Sequence, residues 1–407
     1  MSNPSARPRL LVRLLVRTVA AVAVAAVVAA VVVVVALVAG WRAFGHRSTG
    51  ARLARLQASP QWRDGHFNNT QPMYIDAASM TAMLSSSPVA SPEPSKPVPA
   101  TMTDLTTLQT PPSSGLRVTW FGHASTLIEL DGARVLTDPA FGERASPFDA
   151  VGPARWFPPT VDVSALDIDA IVISHDHHDH LQLSSVDLLK DKPVTWFVPL
   201  GVGAHLEYWG VDPARIVELD WWQEATLRTK AGGDVVVHCV PARHASGRWL
   251  FDQGQTLWAS WAFVGDDHRV FFSGDTGLHT QLQQIGDALG PFDLTLIEVG
   301  QYHPTWPDWH IGPEQAVKAH QLLRGKRLLP IHWALWTLAP HGWTEPGERV
   351  VAAAAAAGVP LALPVPGQPF EPAAAPSTKW WPDEPWQRAE DAPIVSTADG
   401  VADHRMP

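Results

Sequence analysis

Ser174-His175-Asp176-His177-His178-Asp179-His180 is the stretch on which the reading of this chain turns. The apolar run 170–173 leads into it, so four imidazoles and two carboxylates stand at the end of a strand, where rigid backbone can aim them. A solvated loop gains nothing from such crowding, and a buried loop would have to satisfy every polar group. Residues 175, 177 and 179 alternate and can converge from an irregular turn, with His180 beside them. Imidazole mixed with carboxylate suits zinc and related divalent ions. His178 falls between these positions and is expected to point elsewhere.

Other polar clusters follow apolar runs in the same way. Thr137-Asp138-Pro139 closes run 133–137, Pro241-Ala-Arg-His244 follows run 235–240, and Ser273-Gly274-Asp275-Thr276 follows 270–272. Pro330-Ile331-His332-Trp333 ends run 328–331. Together with His175-x-His177-x-Asp179-His180, these five clusters, in this order, resemble the motifs of the metallo-β-lactamase superfamily. A narrower similarity, over about 67–366, is to the N-acyl-phosphatidylethanolamine-hydrolysing phospholipase D group and its bacterial relatives. It rests on Trp120-Phe-Gly-His123-Ala-Ser, Leu136-Thr-Asp138-Pro-Ala-Phe141, Ser146-Pro147, Gly152-Pro-Ala-Arg155 and His310-Ile-Gly-Pro313-Glu314. Trp333 is followed here by Ala-Leu-Trp, and Leu296-Ile-Glu298-Val-Gly300 stands where an apolar, proline-containing segment is expected; both departures lie near the presumed pocket and bear on the substrate.

The resemblance implies an α/β fold, a four-layer αββα sandwich, with two divalent metal ions as cofactors. Zinc suits the donors, and manganese or iron fits similar sites. His175, His177 and His244 would hold one ion; Asp179, His180 and His332 the other; Asp275 would bridge them. Two such ions acidify a water held between them, which can attack a phosphodiester without a protein nucleophile. Asp179 would also handle the water's proton, and His310 would touch substrate or protonate a leaving group. Asp138 and His123 are expected behind the ligands, holding them in place. Trp306, Trp309, Trp333 and Trp336 flank His310 and His332 in sequence and are candidates for an apolar substrate wall; core packing is the competing reading.

Outward from this centre, the rest of the chain sets the context. Strand-like runs cover 116–121, 126–130, 195–198 and 294–299, with Asp131-Gly132 as a hairpin turn. Helical patterns cover 314–323, opened by Pro313 and closed by Gly325, and 348–357, closed by Gly358. Early hairpins followed by strand–helix alternation give two sheets covered by helices. The hydrolase domain is expected over 116–366.

Residues 1–17 form a basic tail carrying Arg7, Arg9, Arg13 and Arg17, and 18–40 is an unbroken apolar run. A helix of about 20 residues crosses the hydrocarbon core, so the run is read as a membrane anchor. Ala-Leu-Val-Ala-Gly at its end resembles a signal cleavage site, but signal segments have apolar runs of roughly 7–15 residues. Four arginines ahead of the span favour a cytoplasmic N-terminus with the catalytic domain outside the cytoplasm, as on a bacterial inner membrane. Residues 41–115 read as a tether, rich in Ser and Pro over 85–99, and 367–407 as a tail, loose at its end, with Trp380-Trp381-Pro382 as a packing clip. A net charge of −10 excludes a general nucleic-acid binder, and the single cysteine, Cys239, excludes an internal disulfide and a cysteine-rich zinc site.

The function expected is therefore a membrane-anchored, metal-dependent phosphodiesterase acting on phospholipid. One alternative is a lactonase or other ester or amide hydrolase on a small phosphorylated or polar substrate. Another is a non-catalytic membrane-tethered scaffold. A lysine- or arginine-lined pocket would favour the small phosphorylated ligand, a tryptophan-lined one the lipid.

Overall fold

The computed structural model describes residues 6–76, 79, 90–148, 150–230 and 232–406. Two sheets form its centre. One has seven strands: β3 (Leu116–Trp120), β4 (Thr126–Leu130), β5 (Ala133–Thr137), β6 (Ala170–Val172), β7 (Thr195–Pro199), β8 (Ile216–Leu219) and β15 (Pro369–Phe370), in the order β15-β3-β4-β5-β6-β7-β8. The other has six: β9 (Glu224–Arg228), β10 (Asp234–Val240), β11 (Ser260–Val264), β12 (Arg269–Phe272), β13 (Leu294–Glu298) and β14 (Leu328–Ile331), in the order β14-β13-β12-β11-β10-β9. A two-stranded ribbon, β1 (Trp62–Arg63) with β2 (His66–Phe67), precedes them.

Alternation along the strands explains the layers, because successive side chains point to opposite faces. Ile128, Val135, Ala170 and Val172 share one core with Val237, Cys239, Val270 and Leu296 of the other sheet. Their neighbours Leu127, Leu136 and Ile171 pack outward with Val186, Leu189 and Leu206 from helices Leu183–Leu189 and Gly203–Tyr208. Helices Gln281–Leu289, Pro313–Leu322 and Glu345–Ala357 contribute Ile285, Ala316 and Val350 to the core on the six-stranded side. The αββα sandwich expected from the sequence is thus present. The Trp261 indole N–H, on β11, donates to Ile173 O beyond β6 at 3.0 Å, tying sheet to sheet.

Local chemistry set several boundaries. Asp131 (φ 47°) and Gly132 (φ 89°) make the left-handed turn between β4 and β5. Gly358, at φ 66°, ends helix Glu345–Ala357 as its sequence suggested. At the other expected helix stop, the left-handed residue is Arg324 (φ 58°), not Gly325.

Helix Ala6–Gly40 contains Leu15–Val35, long and apolar enough to cross a membrane, with none of that window buried inside the protein. The segment after it is not a free tether. Leu56 and Phe67 are buried, Arg52 pairs with Glu218 at 3.0 Å, and Asn69 brackets the His244 backbone. Part of the Ser- and Pro-rich stretch (85–89) lies outside the described residues; Val98, further along it, is buried. Nor is the C-terminal tail loose. Trp381 meets Trp333 edge-on at 4.9 Å, and buried Ser396 and Thr397 hold Pro307 and Asp308 through hydrogen bonds. Both segments pack because each supplies hydrogen-bond partners or apolar rings to loops that the sandwich leaves uncovered.

A candidate dinuclear metal centre

Parallel strands β5 and β6 in one sheet, and β12, β13 and β14 in the other, end at a common edge. Asp138 follows β5, His175 comes just after β6, Asp275 just after β12 and His332 after β14; Glu298 is the last residue of β13. Antiparallel β10 delivers His244 to the same edge. Crevices beyond the carboxyl ends of parallel strands are where α/β proteins collect ligands. Three of the residues there, His123 (φ 51°), Asp138 (φ 33°) and His332 (φ 65°), adopt left-handed backbone conformations that cost non-glycine residues of order 1–3 kcal/mol each. The surrounding sheets hold them there.

Two donor clusters result. In the first, His175 Nε2 lies 2.8 Å from His177 Nδ1, which lies 3.3 Å from His244 Nε2. Asp275 Oδ2 completes it, 3.8 Å from His175 Nε2 and 3.6 Å from His244 Nε2. In the second, His180 Nε2 is 3.2 Å from His332 Nε2 and 3.3 Å from Asp179 Oδ2. Asp275 belongs to this cluster too, with Oδ2 3.1 Å from His180 Nε2 and Oδ1 3.0 Å from His332 Nε2.

The outer nitrogens fix which atoms face inward. His180 Nδ1–H donates to Asp138 Oδ2 at 2.8 Å; His175 Nδ1–H donates to Ser174 Oγ at 2.9 Å, whose own proton goes to Asp138 Oδ2 at 2.6 Å. His244 Nδ1–H donates to Trp309 O at 3.0 Å and His332 Nδ1–H to Gly300 O at 3.3 Å. With these protons placed outside, the Nε2 lone pairs converge. Facing lone pairs such as those of His180 and His332, 3.2 Å apart, repel unless a cation lies between them, and ligands on a tetrahedral ion with bonds of 2.0–2.1 Å stand roughly 3.3 Å apart. The donor set fits a pair of divalent ions sharing Asp275.

The electrostatics point the same way. Burial alone would push the two aspartates up, yet His180 and His332 beside them hold Asp179 and Asp275 well below the usual carboxylate range. Conversely, burial pulls His332 down, but Asp275 and Asp179 outweigh it and raise it to about 10. The buried carboxylates demand positive charge, which the imidazoles can supply only by protonation.

The other residues singled out in the sequence lie around these. Asp138, fully buried, also accepts the Ser174 N–H at 2.7 Å, so it fixes the histidine loop as well as His180. His123 Nε2–H donates to Asp179 Oδ2 at 2.9 Å; burial, then the neighbouring His332, lowers this imidazole to about 3 and keeps it neutral. His178 turns away, bonded to the Arg248 carbonyl at 3.1 Å. Arg243 is structural, paired with Asp308 at 2.9 Å in the interior.

His310 lines the cleft over these donor residues with His177, Trp306, Trp309, Gln301 and Leu338, in a cavity of about 280 Å³. Trp306 and Trp309 thus line this cleft. Trp333 and Trp336 do not: both are fully buried, Trp333 stacked on Trp120 at 5.9 Å and Trp336 edge-on to His123 at 5.0 Å. They follow the left-handed turn at His332, which directs the chain back into the core.

Glu298 is the residue that sequence reasoning passed over, noting it only as a departure from an apolar pattern. It is fully buried and accepts from His310 Nδ1–H at 2.8 Å and from the Thr276 N–H. An acid ending the apolar strand 294–299 was the signal that could have found it, since a lone buried carboxylate requires a partner.

Comparison with known proteins agrees with this geometry. Residues 133–333 match a family described as β-lactamase superfamily domain. A Caenorhabditis elegans protein, N-acyl-phosphatidylethanolamine-hydrolyzing phospholipase D 1, is 38% identical over 241 residues, 57% of this chain and 67% of that one. This chain belongs to the metallo-β-lactamase superfamily. An uncharacterized Mycobacterium tuberculosis protein is 46% identical over 334 residues, 79% of this chain and 88% of its own. A metallo hydrolase of Ignicoccus hospitalis shares the fold at a TM-score of 0.50 and 23% identity, over 63% of this chain and 98% of that one. This superfamily member is a metal-dependent hydrolase, related to phospholipid-hydrolysing enzymes.

Proposed function

We propose that the chain is a membrane-anchored phosphodiesterase that cleaves a phospholipid of the N-acyl-phosphatidylethanolamine type. The observation that carries the reading is the pair of donor clusters between which Asp275 stands, beneath a cleft walled by Trp306, Trp309 and Leu338. No lysine or arginine stands among the described residues of that wall, which favours a lipid over a small phosphorylated substrate. The 38% identical relative, named for hydrolysing such a lipid, supports the same substrate class.

His175, His177 and His244 would hold one ion, Asp179, His180 and His332 the other, and Asp275 both; zinc suits the set, with manganese or iron as alternatives. Such ions, when bound, polarise a phosphoryl oxygen and make water acidic enough to attack near neutral pH. The protein's own part begins with Asp179, which His123 orients from behind and which accepts the attacking water's proton. His310 presents Nε2 to the cleft while Glu298 holds Nδ1–H, an arrangement suited to protonating the departing alcohol oxygen. The aromatic wall shields the acyl region from water. Leu15–Val35 keeps the domain at the bilayer, on its non-cytoplasmic face by the charge of the leading segment, and so raises the effective concentration of lipid.

The test uses the full-length protein in mixed micelles containing N-acyl-phosphatidylethanolamine, with products separated by class. Phosphatidic acid, formed by wild type and lost in Asp179→Asn, is the expected product. Free fatty acid in its place would transfer the chemistry to an acyl ester or amide; no product at all from a folded, metal-loaded enzyme would remove this substrate.

A further inference from the structure

Three aromatic or aliphatic side chains stand exposed at one turn, where a water-soluble surface has no use for them. Leu250 is 76% exposed, Phe251 74% and Trp249 37%. The turn is held firmly: Asp252 Oδ1 accepts the Trp249 N–H at 2.8 Å and the Arg248 N–H at 3.1 Å, and Gln253 Nε2 donates to Trp249 O at 3.2 Å. Its apolar tip is therefore displayed by a built turn.

The turn sits against the chain that emerges from the apolar helix. Trp249 meets Phe44 edge-on at 4.4 Å, and Arg47 donates to the Phe251 carbonyl. That emerging segment is fastened to the domain in turn. The buried Arg248 guanidinium donates to Ala43 O at 2.8 Å, Trp209 Nε1 to Arg42 O at 2.6 Å, and His46 N–H to His205 Nδ1 at 2.9 Å. The segment that leaves the helix and the tip of the turn are thus fastened to each other and to the domain. Trp41, 68% exposed, lies at their junction, where an interfacial indole belongs, and exposed Arg42 and Arg47 flank it. A bilayer crossed by Leu15–Val35 and the apolar residues after it would reach its surface at about Gly40 and Trp41.

We infer that the 249–251 turn is a second membrane contact: with Trp41 it enters the interfacial layer of the bilayer the helix crosses, and Arg42 and Arg47 face the lipid phosphates. Two fixed points would hold the domain in one orientation, where a single helix would let it swing. His244 belongs to the same connection between β10 and β11, so the contact is only a few residues from the proposed metal centre. The occupant is lipid because the apolar tip is continuous with an unburied apolar helix and flanked by cations, the arrangement anionic headgroups complement.

This inference rests on the helix being a membrane span but not on the hydrolase reading, and its test needs no activity. Cys239 is the only cysteine and is fully buried, so Leu250→Cys offers a single accessible thiol in the full chain. An environment-sensitive fluorophore at that site would be compared with one at Asp266→Cys, in the turn between β11 and β12 at the opposite end of the sheet. Both proteins would be placed in nanodiscs of phosphatidylcholine and phosphatidylglycerol, with flotation on liposomes of the same mixture confirming that the helix inserts. The expected result is blue-shifted emission at position 250, quenched by brominated lipid and shielded from iodide, with position 266 open to iodide. Emission at 250 as aqueous as at 266 would overturn the proposal. Shielding from iodide without quenching by brominated lipid would overturn it as well, since protein and not bilayer would then cover the turn.

Discussion

The Nδ1–H of His310 donates to Oε2 of Glu298 at 2.8 Å, and the same oxygen lies 3.4 Å from His332 Nδ1. One buried carboxylate thus orients the cleft histidine and lies against a histidine of the second donor cluster, whose own Nδ1–H goes to Gly300 O. Burial raises the Glu298 carboxyl, while the charge of His310 opposes that rise.

Glu298→Gln keeps the volume and one acceptor but removes the charge. Loss of an orienting partner of this kind typically costs 10–100-fold, so kcat is expected to fall by about that factor while KM changes little. His310→Asn, which removes the proposed acid itself, should lose roughly 100-fold or more. Steady-state kinetics across pH checks both: the limb of the rate profile belonging to the acid should move in Glu298→Gln and vanish in His310→Asn. Unchanged profiles would assign the pair a structural role.

Asp138 touches no substrate position, yet it accepts hydrogen bonds from Ser174 and His180 together. Asp138→Asn leaves one of these donors facing an amide N–H. Metal affinity is expected to drop by about 10–100-fold, read by competition with a chromophoric chelator, with the fold retained by circular dichroism.

Asp308 joins three distant segments. Its carboxylate pairs with Arg243 at 2.9 Å and accepts the N–H groups of Tyr74 at 2.8 Å and Thr397 at 2.7 Å. Asp308→Ala leaves the buried guanidinium without its counter-charge, a change that costs about 3–5 kcal/mol in comparable interiors. Denaturant unfolding should show that loss, and limited proteolysis should then cut near residue 397. A loss below about 1 kcal/mol, the range of a surface pair, would contradict the lock.

The segments Asp308 unites show where sequence reading ran out. The strands ending at Asp138, His175, Asp275 and His332 were legible because apolar runs and metal-donor residues stand side by side in the chain. Asp308, Arg243 and Thr397 are far apart in sequence and individually ordinary; only tertiary packing gives them partners. Strands Ser260–Val264 and Glu224–Arg228 were missed for related reasons. The first is buried on both faces and shows no alternation, and the second is a polar edge strand. Of the two readings open for Trp333 and Trp336, core packing holds, because neighbourhood in sequence says nothing about direction after a left-handed residue.

His341 gives the stability a pH dependence. Its Nδ1–H donates to Gly342 O and its Nε2 accepts the Gln301 N–H at 2.9 Å, so protonation breaks that bond. Burial, then the charge of Arg349, lowers this imidazole to about 4. The unfolded chain takes up the proton near pH 6.5, so between these values the unfolded state holds more protons than the native one. Stability from this group is complete above about pH 6.5 and falls as pH drops toward 4, by up to roughly 3 kcal/mol. Denaturant melts across that window should slope less in His341→Gln, which keeps an acceptor for Gln301.

Metal titration of the chelator-stripped full-length protein asks whether Asp275 joins two metal sites which together power hydrolysis. Bound metal per chain and hydrolysis of N-acyl-phosphatidylethanolamine would be followed on the same samples, beside His244→Ala and His332→Ala. Expected are no hydrolysis before metal is added, saturation at two ions per wild-type chain, and one ion fewer in each variant, with activity lost. Full-rate hydrolysis by the stripped protein, or variants that bind metal as the wild type does, would contradict it.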